Sequence, residues 1–282
     1  KDIIDKIIEC LSLKSRKETQ LFTENYMVRF LLENSLGAWW AGKHPDSPLL
    51  KDYEYLRYKE DGTPAAGTFE GWPQTAAEVT VMDPCCGSGH FLVAAFEMLR
   101  KMRMVEEGLD STEAGDAVIR DNLHGLEIDL RATQIAIFSV TMIAWNTGGY
   151  RELPIPNISC SGISIGGQLS TWENIAKNDV SVLETLRQLF YQFLDASTIG
   201  SLINLNYTPT QESLFNANYL KVEPYLIRIL KEESKRLDPD FLIYGNSALD
   251  ISRSANLLSK SYTLVATNVP YLGRGKQNQK LK

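Results

Sequence analysis

Residues 79 to 91, VTVMDPCCGSGHF, place a carboxylate, two adjacent thiols, a hydroxyl and two glycines directly after an alternating apolar run. Three chemistries could use such a loop. A zinc site would need Cys85 and Cys86 to share one tetrahedral ion, which adjacent residues do poorly, and no further Cys or His pair stands at ligand spacing. A dithiol redox site needs two residues between its cysteines. The third use is close approach of a ligand to the backbone, and the glycines suit it. Gly87 and Gly89 carry no side chain to block a ligand and allow unusual backbone angles. N–H groups at the start of the following helix can bind a polar or anionic group. Two phosphate loops are excluded: the G-x-G-x-x-G pattern fails at Leu92, and no Gly-Lys-Ser/Thr follows. Asp83, at the strand tip, suits a cationic or amine-bearing ligand better than a phosphate.

A loop of this kind works at the carboxyl end of a strand in an open parallel sheet, so the flanking elements matter. EVTVMD (78–83) reads as a strand and 90–108 as a helix stopped by Gly108. A helix over 113–123, a strand over 124–129, a helix over 130–146 and a third strand over 157–163 follow. Helical periodicity returns at 179–196, roughly 210–236 and 246–259, and SYTLVAT (261–267) reads as the last strand. Before the loop, residues 1–12 suit a short helix and 22–40 a stronger one. Thr23 is its expected N-cap, with Glu24 in the first turn and Phe22 stapled to Met27. Residues 41–77 read as an irregular connection with at most one helix. Alternating strands and helices imply an α/β fold with a parallel sheet covered on both faces. We expect a helical region over 1–77, a core over 78–282 and a helical insertion over about 166–260, since about a hundred residues separate the third and last strands.

The 282 residues suffice for one large domain or a domain with an appendage. No apolar run reaches the roughly 18 residues of a membrane helix, and the best candidate, 135–145, reads as a buried helix. No signal peptide and no disulfide-framework spacing are visible, so a reducing, cytoplasmic compartment is expected. The net charge of −6 argues weakly against nucleic acid, but its distribution does not. After Asp250 there is no acidic residue, and Arg253, Lys260, Arg274, Lys276, Lys280 and Lys282 form a basic terminus that can meet phosphate.

The loop resembles the S-adenosylmethionine loop of amino-group DNA methyltransferases, usually Asp-Pro-x-x-Gly-Ser-Gly-x-Phe. The resemblance implies a Rossmann-like methyltransferase core in which Asp83, Pro84, Gly87, Gly89 and Phe91 border the methionine part of the cofactor. The two cysteines become small packing residues. Glu127 ends HGLEID about forty residues on, where an acidic residue can accept two hydrogen bonds from ribose hydroxyls. In the family this residue holds the cofactor ribose, and the next, here Ile128, packs on the adenine. His124 reads as structural.

TNVPYLGRG after the last strand resembles the family's Asn-Pro-Pro-Tyr catalytic motif, with Val269 in place of the first proline. The resemblance implies transfer to the exocyclic amine of adenine in double-stranded DNA. That amine is a poor nucleophile because its lone pair is conjugated with the ring. Acceptors on both its hydrogens favour a pyramidal nitrogen that can attack. The Asn268 side-chain oxygen and the backbone carbonyl of Val269 are the two acceptors, and valine supplies a carbonyl as well as proline does. What is lost is a fixed φ. Pro270 biases Val269 to an extended form, and Tyr271 stacks on a base flipped out of the duplex. No metal is required.

FTENYMVRFLLEN resembles the family's N-terminal Phe/Tyr-Thr-Pro segment, with Glu24 for Pro, and places Thr23 near the methionine end of the cofactor. This segment, then the cofactor loop, then the catalytic strand, is the gamma order of adenine methyltransferases. It looks most like large single-chain enzymes of restriction-modification or phage-defence systems. One departure stands: Ile163 is near the expected Asp that contacts the cofactor adenine, leaving Ser161 or Ser164 to replace it. The resemblance covers most of residues 20–275, though its motifs occupy only about thirty of them. A full fold of this type carries further strands and a target-recognition region after the catalytic strand. The expectation is therefore an incomplete sheet and no methylation by these residues alone. Two alternatives stay open. One is a methyltransferase for another amine, in protein glutamine, cytosine or an RNA base. The other is a non-catalytic cofactor-binding or scaffolding module.

Overall fold

The computed structural model describes residues 23–176, 179–205, 219–233 and 239–269. Four short strands form one sheet: β1 (Val81–Asp83), β2 (Leu123–Glu127), β3 (Asn157–Cys160) and β4 (Leu264–Val265), in the order β3-β2-β1-β4. β1 is parallel to both its neighbours, with Asp83 opposite Gly125 of β2 and Met82 opposite Val265 of β4. This is the α/β architecture expected from the sequence. The chain steps outward from β1 to β3 and then returns to add β4 on the other side of β1. The order therefore reverses between β1 and β4, the place where open α/β sheets bind ligands.

The described residues divide into two compact units. The first holds those up to Gly125, Arg131–Ile158 and the strand segment from Ser261; the second holds Leu126–Leu130 and Ser159–Lys260.

In the first unit, α1 (Asn25–Leu32) runs through a wider π-type turn (Glu33–Gly37) into α2 (Ala38–Lys43). Two short 3-10 turns, Pro48–Asp52 and Ala76–Glu78, lie in the connection to β1. The helix α3 (His90–Glu107) buries Leu92, Ala95, Phe96, Leu99 and Met102, spaced by three or four residues as a helix face requires. It ends where sequence placed the stop, at Gly108 with φ +68°, whose N–H donates to Met104 O at 3.2 Å. α4 (Ser111–Ala117) is capped by Asp110, whose Oδ1 accepts the N–H groups of Thr112 and Glu113 at 2.7 and 2.8 Å. A second π-type turn (Val118–Asn122) delivers the chain to β2. α5 (Leu130–Gly148) packs Ala136, Val140 and Ile143 into the same core. Burying a side chain the size of Val140 or Ile143 is worth about 1.5–3 kcal/mol relative to exposure.

Two polar groups in this core pin the base of the sheet. Buried Asn122 donates through Nδ2 to Val79 O at 2.6 Å and Ala76 O at 2.9 Å, while its Oδ1 accepts from Arg103 at 3.2 Å. Arg103, 5% exposed, also makes a two-point bond to Glu107 and reaches Asp121 at 3.1 Å. A buried guanidinium is tolerated because its donors are satisfied by anions.

Several expected boundaries move. The strand expected over 78–83 starts at Val81, because Glu78 is used in a capping box with Thr75. The strand expected over 261–267 is only Leu264–Val265. Just before it the pairing runs through side chains: Thr80 N–H donates to Thr263 Oγ1 at 3.1 Å and Thr263 N–H to Thr80 Oγ1 at 3.0 Å. The short helix expected over 1–12 and the Phe22 staple lie outside the described residues.

The second unit is mainly helical: α6 (Leu169–Ile175), α7 (Val180–Gln192), α8 (Ala196–Ile199), α9 (Tyr219–Glu233) and α10 (Pro239–Leu258). Its core gathers Trp172, Leu186, Leu189, Phe193, Leu226, Ile251 and Ala255. At Gly245 an added Cβ would fall 2.6 Å from Leu230, so the glycine lets α10 lie close on α9. β3 is tied to α10 by Ser254, whose hydroxyl donates to Cys160 O at 2.8 Å.

Candidate active site

The carboxyl ends of β1 and β4 are adjacent. Ala266 N–H donates to Met82 O at 3.0 Å, continuing the register past the last strand residue. Asp83 and Asn268 therefore leave the sheet at the same end of the same pair of strands. The loop after β1 and the segment after β4 are the two sequence motifs expected to act together.

Each residue of the first loop has a local reason for its place. The Asp83 carboxylate is 1% exposed and takes Cys85 N–H at 3.1 Å, an Asx-type turn that folds the chain just after the strand. Pro84 lies inside that turn. Gly87 has φ +53°, and an added Cβ there would meet no described residue within 4 Å. Gly89 has φ +89°, and an added Cβ would lie 3.1 Å from Ala136 Cα. Gly87 thus leaves open space beside the backbone, while Gly89 lets the loop pack on α5. Gly89 occupies the N-cap position of α3 with no side-chain cap, so the first turn of an 18-residue helix presents its N–H groups at this end. Cys86 is buried in the core and Cys85 half-buried, and neither is in a disulfide. Phe91, 3% exposed, is a core residue of α3. Among the described residues no group of three His, Cys, Asp or Glu side chains could hold a metal ion.

On the second segment, Asn268 is half-buried and Val269 is 52% exposed. Asn268 Nδ2 donates to Thr23 Oγ1 at 2.9 Å, across 245 residues of sequence. Thr23 is not the helix N-cap expected from the sequence: Glu24 holds that position, and no side chain caps the helix. The Thr23 hydroxyl is used across the fold instead of along the chain. Pro270 and Tyr271 lie outside the described residues, as does the basic terminus from Arg274 on. Nearby, His124 is buried, with its ring 5.0 Å from that of Tyr262. Burial pushes the Tyr262 phenol up, so it stays neutral.

In the second unit, Glu127 is the last residue of β2 and 6% exposed. Its Oε1 accepts the N–H groups of Ile128 and Asp129 at 2.9 and 3.0 Å, which fixes the carboxylate at the head of the turn into α5. Ile128 is 41% exposed, and its side chain passes within 3.1 Å of where a Cβ at Gly200 would be. Ser161 donates its N–H to Glu127 O at 2.7 Å, and its buried hydroxyl has no partner among the described residues. Ile163 packs against the helical core, and Ser164 is exposed.

Residues 66–150 match the family model described as "MmeI, DNA-methyltransferase domain". Over 99% of its length the chain is 28% identical to the adenine-specific methyltransferase BrxX of Escherichia coli O9:H4. It is 26% identical over its whole length to the adenine-specific methyltransferase PglX of Lacticaseibacillus casei. A third relative, the adenine-specific methyltransferase PglX of Streptomyces coelicolor, is 35% identical over 27% of the chain. The chain spans 24% of the length of BrxX and of the Lacticaseibacillus PglX, and 6% of the Streptomyces protein. The family match covers the first loop, β1, β2 and α3 to α5; the two long alignments also take in β4 and Asn268.

Proposed function

We propose that the protein transfers a methyl group from S-adenosylmethionine to the exocyclic N6 amine of adenine in double-stranded DNA. One observation carries the reading: Asn268 emerges from β4 beside the end of β1, whose loop carries two left-handed glycines, at the point where the strand order reverses. The names of the relatives, adenine-specific methyltransferases over nearly the whole chain, support the substrate.

The residues present fit the cofactor. Among the described residues Gly87 leaves space for a ligand against the backbone, the start of α3 points N–H groups toward a carboxylate, and Asp83 is an anion that suits an ammonium group. Asp83, Pro84, Gly87, Gly89 and Thr23 would hold the amino-acid part, with Phe91 supporting the loop from the core. On its chemistry, Glu127 is assigned the ribose hydroxyls and Ile128 the adenine face. When bound, S-adenosylmethionine supplies a methyl group on a sulfonium. The chain's own residues make the amine reactive. Asn268 Oδ1 and the Val269 carbonyl each accept one amine hydrogen, which draws the nitrogen toward a tetrahedral shape and frees its lone pair. Tyr271 holds the flipped base by stacking, a contact worth about 1–3 kcal/mol. The base must leave the duplex to reach these groups. No helix among the described residues is long and apolar enough to cross a membrane.

The test is transfer of a labelled methyl group to duplex DNA by the complete gene product, with Asn268→Ala as the control. Label recovered as N6-methyladenine, and lost in the variant, supports the reading. Label on protein, RNA or cytosine, with none on adenine, moves the chemistry to another amine. If the folded protein shows no binding of S-adenosylmethionine by calorimetry, the reading fails.

A further inference from the structure

A primary amide carries an acceptor and a donor of nearly equal shape on one carbon, and a half-turn about its Cβ–Cγ bond exchanges them. Asn268 can accept an amine hydrogen only with Oδ1 toward the amine. The opposite orientation sets N–H against N–H. In the structure Nδ2 is turned to Thr23 Oγ1 at 2.9 Å, so Oδ1 points away from Thr23. The Thr23 hydroxyl has no task in its own helix, whose N-cap position is Glu24.

We propose that Thr23 is a positioning residue for Asn268: its hydroxyl accepts the Nδ2 hydrogen and holds the amide with Oδ1 presented to the substrate amine. The proposal rests on the reading of this site as an amine methyltransferase. A threonine hydroxyl has one proton to give. Any acceptor that takes that proton, the carboxylate of the methyl donor included, obliges Oγ1 to meet Asn268 as an acceptor. A flipped amide would then oppose two lone pairs. Occupancy of the cofactor site and the orientation of the catalytic amide are thereby linked through one oxygen.

A carboxylate at position 268 has no wrong face, since both its oxygens accept. This gives the discriminating experiment, made in the complete gene product on duplex DNA at saturating S-adenosylmethionine. Thr23→Val and Thr23→Ser are each combined with Asn268 and with Asn268→Asp, and single-turnover rate and cofactor Kd are measured on each. With Asn268 present, Thr23→Val is expected to lower the saturated rate about tenfold, as the loss of one neutral hydrogen bond would, and Thr23→Ser to restore it. With Asn268→Asp the rate is expected not to respond to Thr23→Val, while cofactor Kd changes by the same factor in both backgrounds. A Thr23→Val rate that returns to the wild-type value once cofactor saturates overturns the proposal, because Thr23 is then a cofactor contact alone. An equal loss of rate in both backgrounds overturns it as well. If Asn268→Asp is too slow to read, the valine and serine variants decide: full rate with valine overturns, and loss with valine restored by serine supports. Failure of the underlying reading is separately visible, since it requires Asn268→Ala to methylate at the wild-type rate.

Discussion

Gly89 lies so close to Ala136 that a methyl group at residue 89 would sit 3.1 Å from the Ala136 Cα, and it holds φ +89° as well. Gly87, two residues earlier, has φ +53° and no described residue within 4 Å of where its Cβ would be. Substitution by alanine should separate these roles. Gly89→Ala combines left-handed strain with contact against the backbone of α5, and is expected to cost about 2–3 kcal/mol. Gly87→Ala carries strain alone, about 1 kcal/mol. Its larger effect should be on ligand access, weakening S-adenosylmethionine binding on the order of tenfold, or about 1.4 kcal/mol. Chemical denaturation and calorimetry on the two variants check both halves. A Gly87→Ala variant with unchanged cofactor affinity would show that no ligand approaches this backbone.

Asn268 and Val269 should respond differently to loss of their side chains. Asn268 acts through Oδ1, so Asn268→Ala is expected to reduce the single-turnover rate by about 10²–10³ with little change in stability. Val269 is 52% exposed and acts through its carbonyl, which every residue has. Val269→Ala should therefore stay within about threefold of wild type, the scale of a modest change in loop order. A Val269→Ala loss as large as that of Asn268→Ala would mean that the valine side chain touches the reacting groups.

The parts of this site written as local patterns were legible in the sequence. Gly87, Gly89 and Gly108 all take the positive φ that a turn or helix stop required. Glu127 closes its strand, and His124 is buried within it. The parts set by distant neighbours were not legible. Thr23 has the residue type of an N-cap, yet its hydroxyl bonds to a residue 245 positions away, and no window of sequence contains both. The π-type turns at Glu33–Gly37 and Val118–Asn122 keep the apolar spacing of an ordinary helix, so they leave no mark. The Arg103 network had a faint signal: an arginine on the apolar face of α3, four residues before Glu107, interrupts a pattern that otherwise asks for a hydrophobic residue.

Glu127 offers a test of the ribose assignment that spares the local fold. Its Oε1 already serves two backbone N–H groups, and glutamine keeps an acceptor oxygen for them. Glu127→Gln should therefore leave the melting temperature nearly unchanged while removing the charge from any hydrogen bond to a diol. Charge-assisted bonds exceed neutral ones by about 1–2 kcal/mol, so cofactor Kd should rise roughly five- to thirtyfold. Equal affinity for S-adenosylmethionine in wild type and Glu127→Gln would sink the ribose role.

Two aspartates should shape the response to acid with opposite signs. Burial pushes the Asp121 carboxyl up, but the bonds from Arg120 and Arg103 outweigh it and leave it below its ordinary 3.8. A depressed carboxyl adds stability above its unfolded value, and that stability is lost as pH falls through the lower folded value. Asp250 is shifted the other way: burial raises it, and Arg253, 3.9 Å away, only partly opposes this. A raised carboxyl favours the fold below 3.8 and disfavours it once pH has risen through the folded value. Asp121→Asn is therefore expected to lower the melting temperature at neutral pH and flatten its acid limb. Asp250→Asn should raise it at neutral pH and leave the acid end nearly unchanged, because Arg253 keeps its bond to Glu223 at 2.8 Å. Both side chains are at least a third exposed, so solvent and salt screen the effects and each change should shrink at high ionic strength. Melting curves between about pH 3 and pH 7 check the signs. If both variants moved the neutral-pH melting temperature in the same direction, burial and pairing would not set these two groups apart as the structure requires.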